Sequence, residues 1–246
     1  MIQSIGKEIE LQCQYLSSPK LESVYFGGGT PSILNQEDLV YIFKKIHEKY
    51  LILDNAEISF ECNPDDLNKE KLSILYSLGI NRLSIGIQSF KDQDLTFMNR
   101  SHTAKEGLDS IQLAKKIGFT NISVDLMFSL PQQTLEDWKR NLNIVFDLEV
   151  QHISAYNLTV EEKTKLAYLI KKGEIAGLDE RLSLEYFKLL MSRCKEKGFI
   201  QYEISNFGKK GFFSKHNSSY WSGSEYLGIG PSAHSYNGKS RQWNVS

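Results

Sequence analysis

The chain has 246 residues, 41% of them hydrophobic and 24% charged, with a formal net charge of -1. This is the balance of an ordinary globular protein with room for one large α/β domain; it excludes a small stapled scaffold and gives no global bias toward nucleic acid or lipid. Three cysteines, Cys13, Cys62 and Cys194, are odd in number and far apart, which argues against a disulfide framework and predicts a reducing, cytoplasmic setting. The N-terminal stretch MIQSIGKEIELQCQYL has no long apolar run, and no window approaches 18 uninterrupted apolar residues, so neither export nor stable membrane insertion is expected.

In chain order, periodicity predicts a helix over 2–16 and a buried strand over 23–28, then a helix from the capping residue Asn35 to about Tyr50. A strand over 56–64 and a helix over 66–80, closed by Gly79, come next. A third strand (82–89) leads into helical stretches at 92–98 and 104–117, a fourth (121–130) into a helix from Thr134 to about Leu148, and a fifth covers 152–159. A long helix over about 179–197 ends at Gly198, and the Tyr-, Phe-, Gly- and Ser-rich remainder shows no helical period. Strand-then-helix units of this length predict parallel strands with right-handed crossovers, hence a doubly wound sheet or a barrel.

Both architectures place function at strand C-termini, and polar residues collect there. Gly27 to Thr30 follow the first strand; a glycine run lets backbone amides reach a ligand that a Cβ would hold off, although a tight turn chosen for packing uses the same residues. Neither GxxxxGK nor GxGxxG is present, and Pro31 removes a donor, so a generic phosphate loop does not fit. Glu61, Gln88, Arg100 and Asp125 sit at or near the ends of later strands. Singly each is an ordinary polar residue, but jointly they offer carboxylates for an ammonium or ribose hydroxyls, an amide, and a guanidinium for a carboxylate, a set suited to a zwitterionic nucleoside. In KHNSSYW, His216 is a possible iron ligand beside Tyr220 and Trp221, which could wall a flat aromatic molecule; a lone histidine in an aromatic loop is more often a packing residue. The cysteines match no zinc or iron-sulfur spacing, so no metal site and no nucleic-acid footprint are expected.

VYFGGGTPS, ISFECNPDD, NRLSIGIQSF, MNRSHTA, VDLMFSLPQQT, QYEISNFG, KHNSSYW and LGIGPSAHS, in this order, closely resemble the radical S-adenosylmethionine (SAM) proteins of the oxygen-independent coproporphyrinogen oxidase group, and within it the HemW-type heme chaperones. The resemblance implies a partial (β/α)6 TIM-like barrel over 1–200, here without its first strand, and the incomplete start of a C-terminal region over 201–246. It implies that Gly28, Gly29 and Thr30 lie near the methionine end of SAM and that Glu61, Gln88, Arg100 and Asp125 contact the cofactor. Glu61 and the loop are assigned to the ammonium, Arg100 to the carboxylate, and Gln88 and Asp125 to the ribose. HNxxYW, here His216, Asn217, Tyr220 and Trp221, implies heme as bound cargo and a recipient hemoprotein as partner.

The family's CxxxCxxC, which holds a [4Fe-4S] cluster, has no counterpart in the chain, which is therefore expected to be a piece, or a degenerate product, of a HemW-like protein. No catalytic residue is assigned. The rival expectations are an oxidase acting on coproporphyrinogen III and a barrel remnant that binds nothing. A smaller departure is FSLPQQT, where the family has glycines at the positions of Ser129 and Gln132.

Overall fold

The computed structural model describes residues 1–245. From the N-terminus the chain forms α1 (Ile2–Leu11), β1 (Lys20–Phe26), α2 (Gln36–Lys49), β2 (Leu51–Cys62), α3 (Lys69–Ser77), β3 (Arg82–Gln88), α4 (Asp92–Phe97), α5 (Ala104–Ile117), β4 (Ile122–Phe128), α6 (Leu135–Asp147) and β5 (His152–Asn157). Then come α7 (Lys165–Lys171), α8 (Glu180–Glu196), β6 (Ile200–Gln201), β7 (Asn206–Gly208), α9 (Lys215–Trp221), β8 (His234–Tyr236) and β9 (Arg241–Trp243). Seven strands share one sheet in the order β1-β2-β3-β4-β5-β7-β6, and β8 and β9 form a separate ladder. The pairings β1 with β2, β3 with β4 and β4 with β5 are parallel, as helical crossovers between successive strands require. β7 returns antiparallel to β5, and β6 is antiparallel to β7.

Two compact units result: residues 1–60, 73–82 and 214–246 form unit one, and residues 61–72 and 83–213 form unit two. In unit one, Ile9, Ile42, Ile46 and Tyr50 form a buried cluster, flanked by Leu21, Val24, Leu227 and Ile229 among others. Asn35 caps α2 by accepting from the Asp38 backbone N–H at 2.8 Å. In unit two the core is strand-centred: Leu83, Ile85, Ile87, Val124, Leu126 and Ile153 are fully buried, with Trp138 of α6 and Tyr186 of α8 packed among them. Apart from Met127, the residues that alternate with this apolar set on β3, β4 and β5 are polar or small, and they face the other way. Thr103 and Thr134 head α5 and α6 through reciprocal capping boxes with Glu106 and Asp137.

Several boundaries differ from the sequence reading. α1 stops at Leu11 rather than 16, the backbone N–H of Gln12 closing the last turn on the Glu8 carbonyl before Ser17, Ser18 and Pro19 carry the chain into β1. β2 begins at Leu51, because Leu51 and Ile52 pair with Lys20 and Leu21 before a register shift; Asp54 and Asn55 interrupt the apolar run and hide that start. α7 carries no buried residue and so leaves no amphipathic trace. The segment 215–221, read as an aperiodic loop, is the helix α9, whose seven residues make under two turns, too short for a period to show.

Ser129 and Gln132, the positions at which the resemblance implies glycines, both have left-handed backbone, with φ of 63° and 67°. Ser129 is buried and its hydroxyl has no hydrogen-bond partner among the described residues. The turn is held by the Gln133 side chain, which accepts from the Ser129 backbone N–H at 3.0 Å. Ser129→Gly removes both the strained Cβ and the unpaired hydroxyl, and is expected to stabilise the chain by about 1–2 kcal/mol. Urea unfolding checks this, and an unchanged or lowered midpoint contradicts it.

Candidate functional site

In unit two, alternation along the strands lines up a polar face. Ser84, Gly86 and Gln88 of β3, Ser123 and Asp125 of β4, and Ser154 and Tyr156 of β5 occupy positions two apart, and Glu61 is the last residue but one of β2. Glu61, Gln88, Arg100 and Asp125 are all half-buried. Arg100 lies between α4 and α5, and its Nη2 donates to Asn63 Oδ1 at 2.8 Å and to the Gly86 carbonyl at 3.2 Å. Both bonds leave from one nitrogen, so the remaining guanidinium edge is available to an incoming carboxylate. Gly86 makes room for this arrangement: a Cβ there would lie 3.0 Å from Gln88 Nε2 and 3.4 Å from Arg100 Nη2.

Gln88 ends β3 in left-handed backbone, φ 66°, immediately after the β3–β4 register slips between Ile85 and Gln88. The bulge and the turn redirect the glutamine at the strand end, a place where strain recurs in functional sites. Ser84 Oγ lies 3.0 Å from both oxygens of Asp125, and Ser123 Oγ donates to Oδ1 at 3.3 Å. A polar chain continues from there: Ser123 Oγ is 2.7 Å from His152 Nδ1, and His152 Nε2 is 2.7 Å from the Tyr202 hydroxyl. The face is electronegative. Loss of water and the charge of Asp125, with a smaller push from Glu61, raise the Tyr156 phenol to about 12. Burial, then Asp125, Asp66 and Glu61, push the Cys62 thiol up as well.

In unit one, Gly28 has left-handed backbone (φ 86°), and a Cβ at Gly28 or Gly29 would meet nothing within 4 Å. Packing therefore does not demand the absence of a side chain at Gly29. Elsewhere in the unit, α9 carries His216, Asn217, Tyr220 and Trp221. Ser214 caps the helix by accepting from the Asn217 backbone N–H at 3.2 Å. The His216 ring stacks on Tyr25 of β1, centroids 4.2 Å apart and planes 15° from parallel. Its Nε2 is 3.2 Å from the Tyr220 hydroxyl. Burial lowers the imidazole pKa and keeps the ring neutral. Tyr220 and Trp221 are 46% and 75% exposed, two aromatic side chains open to solvent on the helix that carries His216.

The sequence reading placed Asn63 beside Glu61 after the second strand but missed the other supports: Tyr25, Glu57, Ser84, Gly86, Ser123 and Tyr156. The period-two pattern SxGxQ on β3 and a glutamate in mid-strand at position 57 were the available signals.

The sequence pattern of the radical SAM superfamily matches residues 7–145. The chain belongs to the radical SAM superfamily. It is 42% identical over 228 residues to the heme chaperone HemW of Bacillus subtilis, covering 92% of this chain and 60% of that protein. It is 34% identical over 242 residues to the heme chaperone HemW of Mycobacterium tuberculosis, covering 98% and 62%. The chain thus spans about 60% of the length of these relatives. A solved structure of the coproporphyrinogen III oxidase HemN of Escherichia coli, a radical SAM enzyme, covers 99% of this chain and 58% of its own with a TM-score of 0.84 at 24% identity. That likeness establishes the α/β partial TIM-like barrel fold. No helix among the described residues is long and apolar enough to cross a membrane.

Membership of this superfamily implies SAM and a [4Fe-4S] cluster. The polar face of unit two suits SAM, which brings a carboxylate, an ammonium, a sulfonium and ribose hydroxyls. The cluster has no fit: among the described residues no three His, Cys, Asp or Glu side chains gather to hold a metal. Burial pushes the thiol of Cys194 up to about 12 and that of Cys62 higher still. Only Cys13, which is partly exposed, is expected to react with a thiol-exchange reagent at pH 8 in the native chain. Counting one fast thiol that disappears in Cys13→Ser, and three after unfolding, checks this; fast reaction at Cys62 contradicts it.

Proposed function

We propose that this chain binds heme at α9 and SAM at the polar face of unit two, as the heme-binding portion of a HemW-type heme chaperone that passes its cargo to a recipient hemoprotein. The observation that carries the reading is the helical presentation of HNSSYW. It supports a neutral histidine at the foot of an exposed tyrosine and tryptophan, in a chain 42% identical to a heme chaperone. A neutral imidazole is a good iron ligand, and exposed aromatic rings suit the apolar face of a porphyrin. Coproporphyrinogen oxidation is not favoured: the likeness to HemN at 24% identity speaks to fold alone.

For SAM, we assign Arg100 to the carboxylate, Glu61 to the ammonium, and Gln88 and Asp125 to the ribose hydroxyls. Gly28, Gly29 and Thr30 are kept as a separate set of backbone contacts to be tested on their own. When bound with its cluster, SAM is the superfamily's source of radical chemistry; the residues described here bind and orient it.

Ferric heme added to the chain is expected to give a shifted Soret band with saturation, and His216→Ala to weaken binding about tenfold or more and alter the band. An unchanged spectrum in that variant removes His216 as ligand. For SAM, calorimetry is expected to show binding that falls about tenfold in Gly86→Ala, whose methyl displaces the ends of Gln88 and Arg100 without touching the apolar core. Gly29→Ala has open space and folds normally, so any SAM affinity it loses reports a ligand at that loop. Absence of SAM binding, or full affinity in Gly86→Ala, overturns the assignment.

A further inference from the structure

The imidazole of His216 is held in place from several sides, but its Nε2 has one polar partner, the Tyr220 hydroxyl at 3.2 Å. One ring face lies on Tyr25. The backbone N–H of His216 donates to Glu57 Oε1 at 3.2 Å, and that of Lys215 to Oε2 at 3.0 Å. Those contacts fix the histidine without Tyr220. Tyr220 sits one turn further along α9, at i+4, where it meets the His216 ring edge-on at 5.1 Å and 84°. Its other side rests against Tyr226, again edge-on, at 4.8 Å. Tyr220 is 46% exposed, so its side chain borders solvent.

In the tautomer with its proton on Nδ1, the Nε2 lone pair accepts the Tyr220 O–H or binds one metal, never both. Resting on the heme reading above, we propose that Tyr220 is a displaceable latch on His216. Its hydroxyl and the heme iron compete for the same nitrogen, and this hydrogen bond sets how readily the chain takes up and gives up its cargo. No bond to carbon changes and no electron moves; iron replaces a hydrogen bond, and the tyrosine hydroxyl turns to water. Such a bond has a net strength that corresponds to roughly a two- to tenfold change in affinity, a size suited to a protein that must release what it binds.

The test uses the full chain, ferric heme as ligand and apomyoglobin as acceptor. Tyr220→Phe is expected to bind heme about two- to tenfold more tightly, transfer it correspondingly more slowly, and keep the wild-type Soret position. Without heme, the 15N resonance of His216 Nε2 is expected to move in the same variant, reporting the lost bond. Equal or weaker heme affinity with an unchanged spectrum overturns the latch. So does loss in Tyr220→Phe of a phenolate-to-iron charge-transfer band, which marks Tyr220 as a ligand itself. If heme binding survives His216→Ala, it is the histidine reading that fails, and that outcome is separate. Should Tyr220→Phe fold poorly by circular dichroism, fluorotyrosine at position 220 keeps the ring and strengthens the donor. It is expected to weaken heme binding, and equal or tighter binding overturns the proposal.

Discussion

The arrangement around His216 depends on one buried carboxylate. Glu57 lies in the middle of β2, only 6% exposed, where an unpaired charge would cost several kcal/mol. Its neighbours supply the compensation. Oε1 accepts from Ser59 Oγ, Ser214 Oγ and the backbone N–H of His216, each at 3.2 Å, while Oε2 accepts from the backbone N–H of Lys215 at 3.0 Å. The first amides of α9 are otherwise orphan donors at the positive end of a helix. A seven-residue helix has little stability of its own, so the strand carboxylate fixes both its existence and its direction. Lys215 Nζ adds a bond to the Asn55 carbonyl at 2.6 Å. Residues more than 150 positions apart in sequence are joined this way, and the histidine is aimed as a consequence.

Unit two reaches its site by a different route, through what is missing. β3 is apolar on one face and carries Ser84, Gly86 and Gln88 on the other, and the glycine leaves the space into which Arg100 and Gln88 extend. The bulge before Gln88 and its left-handed φ turn the strand end outward without interrupting Ile85 and Ile87 in the core. Strain at Gln88 is sustained because the strand on which it sits is among the most deeply buried segments of the unit. The apolar half of the strand thus makes the irregular polar half affordable.

The sequence displayed the alternating framework because each long element carries its own period: Leu83, Ile85 and Ile87 alternate cleanly, and α2, α5 and α6 have capping residues at their heads. The four residues proposed above to meet SAM, Glu61, Gln88, Arg100 and Asp125, were visible as polar side chains on or after the strands. What escaped was everything that arises from distant partners. Glu57 reads as an ordinary strand glutamate until Ser214 and Lys215 are folded onto it. Tyr25 reads as core until His216 stacks on it. Ser129 and Gln132 look like plain turn residues, and only their backbone angles explain why glycines suit those positions.

The electrostatics of the polar face bear on which ligands it admits. Asp125 and Glu61 both oppose ionisation of Tyr156 and of Cys62, so the surroundings disfavour new negative charge. A phosphate-bearing nucleotide would meet that same opposition, offset by the Arg100 guanidinium and by the weaker pull of Lys71. A ligand with an ammonium and a sulfonium next to a single carboxylate meets the opposite situation: two cationic centres beside two carboxylates, and one anionic group beside one guanidinium. Burial first, and then the charges of Asp125, Asp66 and Glu61, raise the Cys62 thiol pKa, so thiolate is disfavoured at that edge of the face.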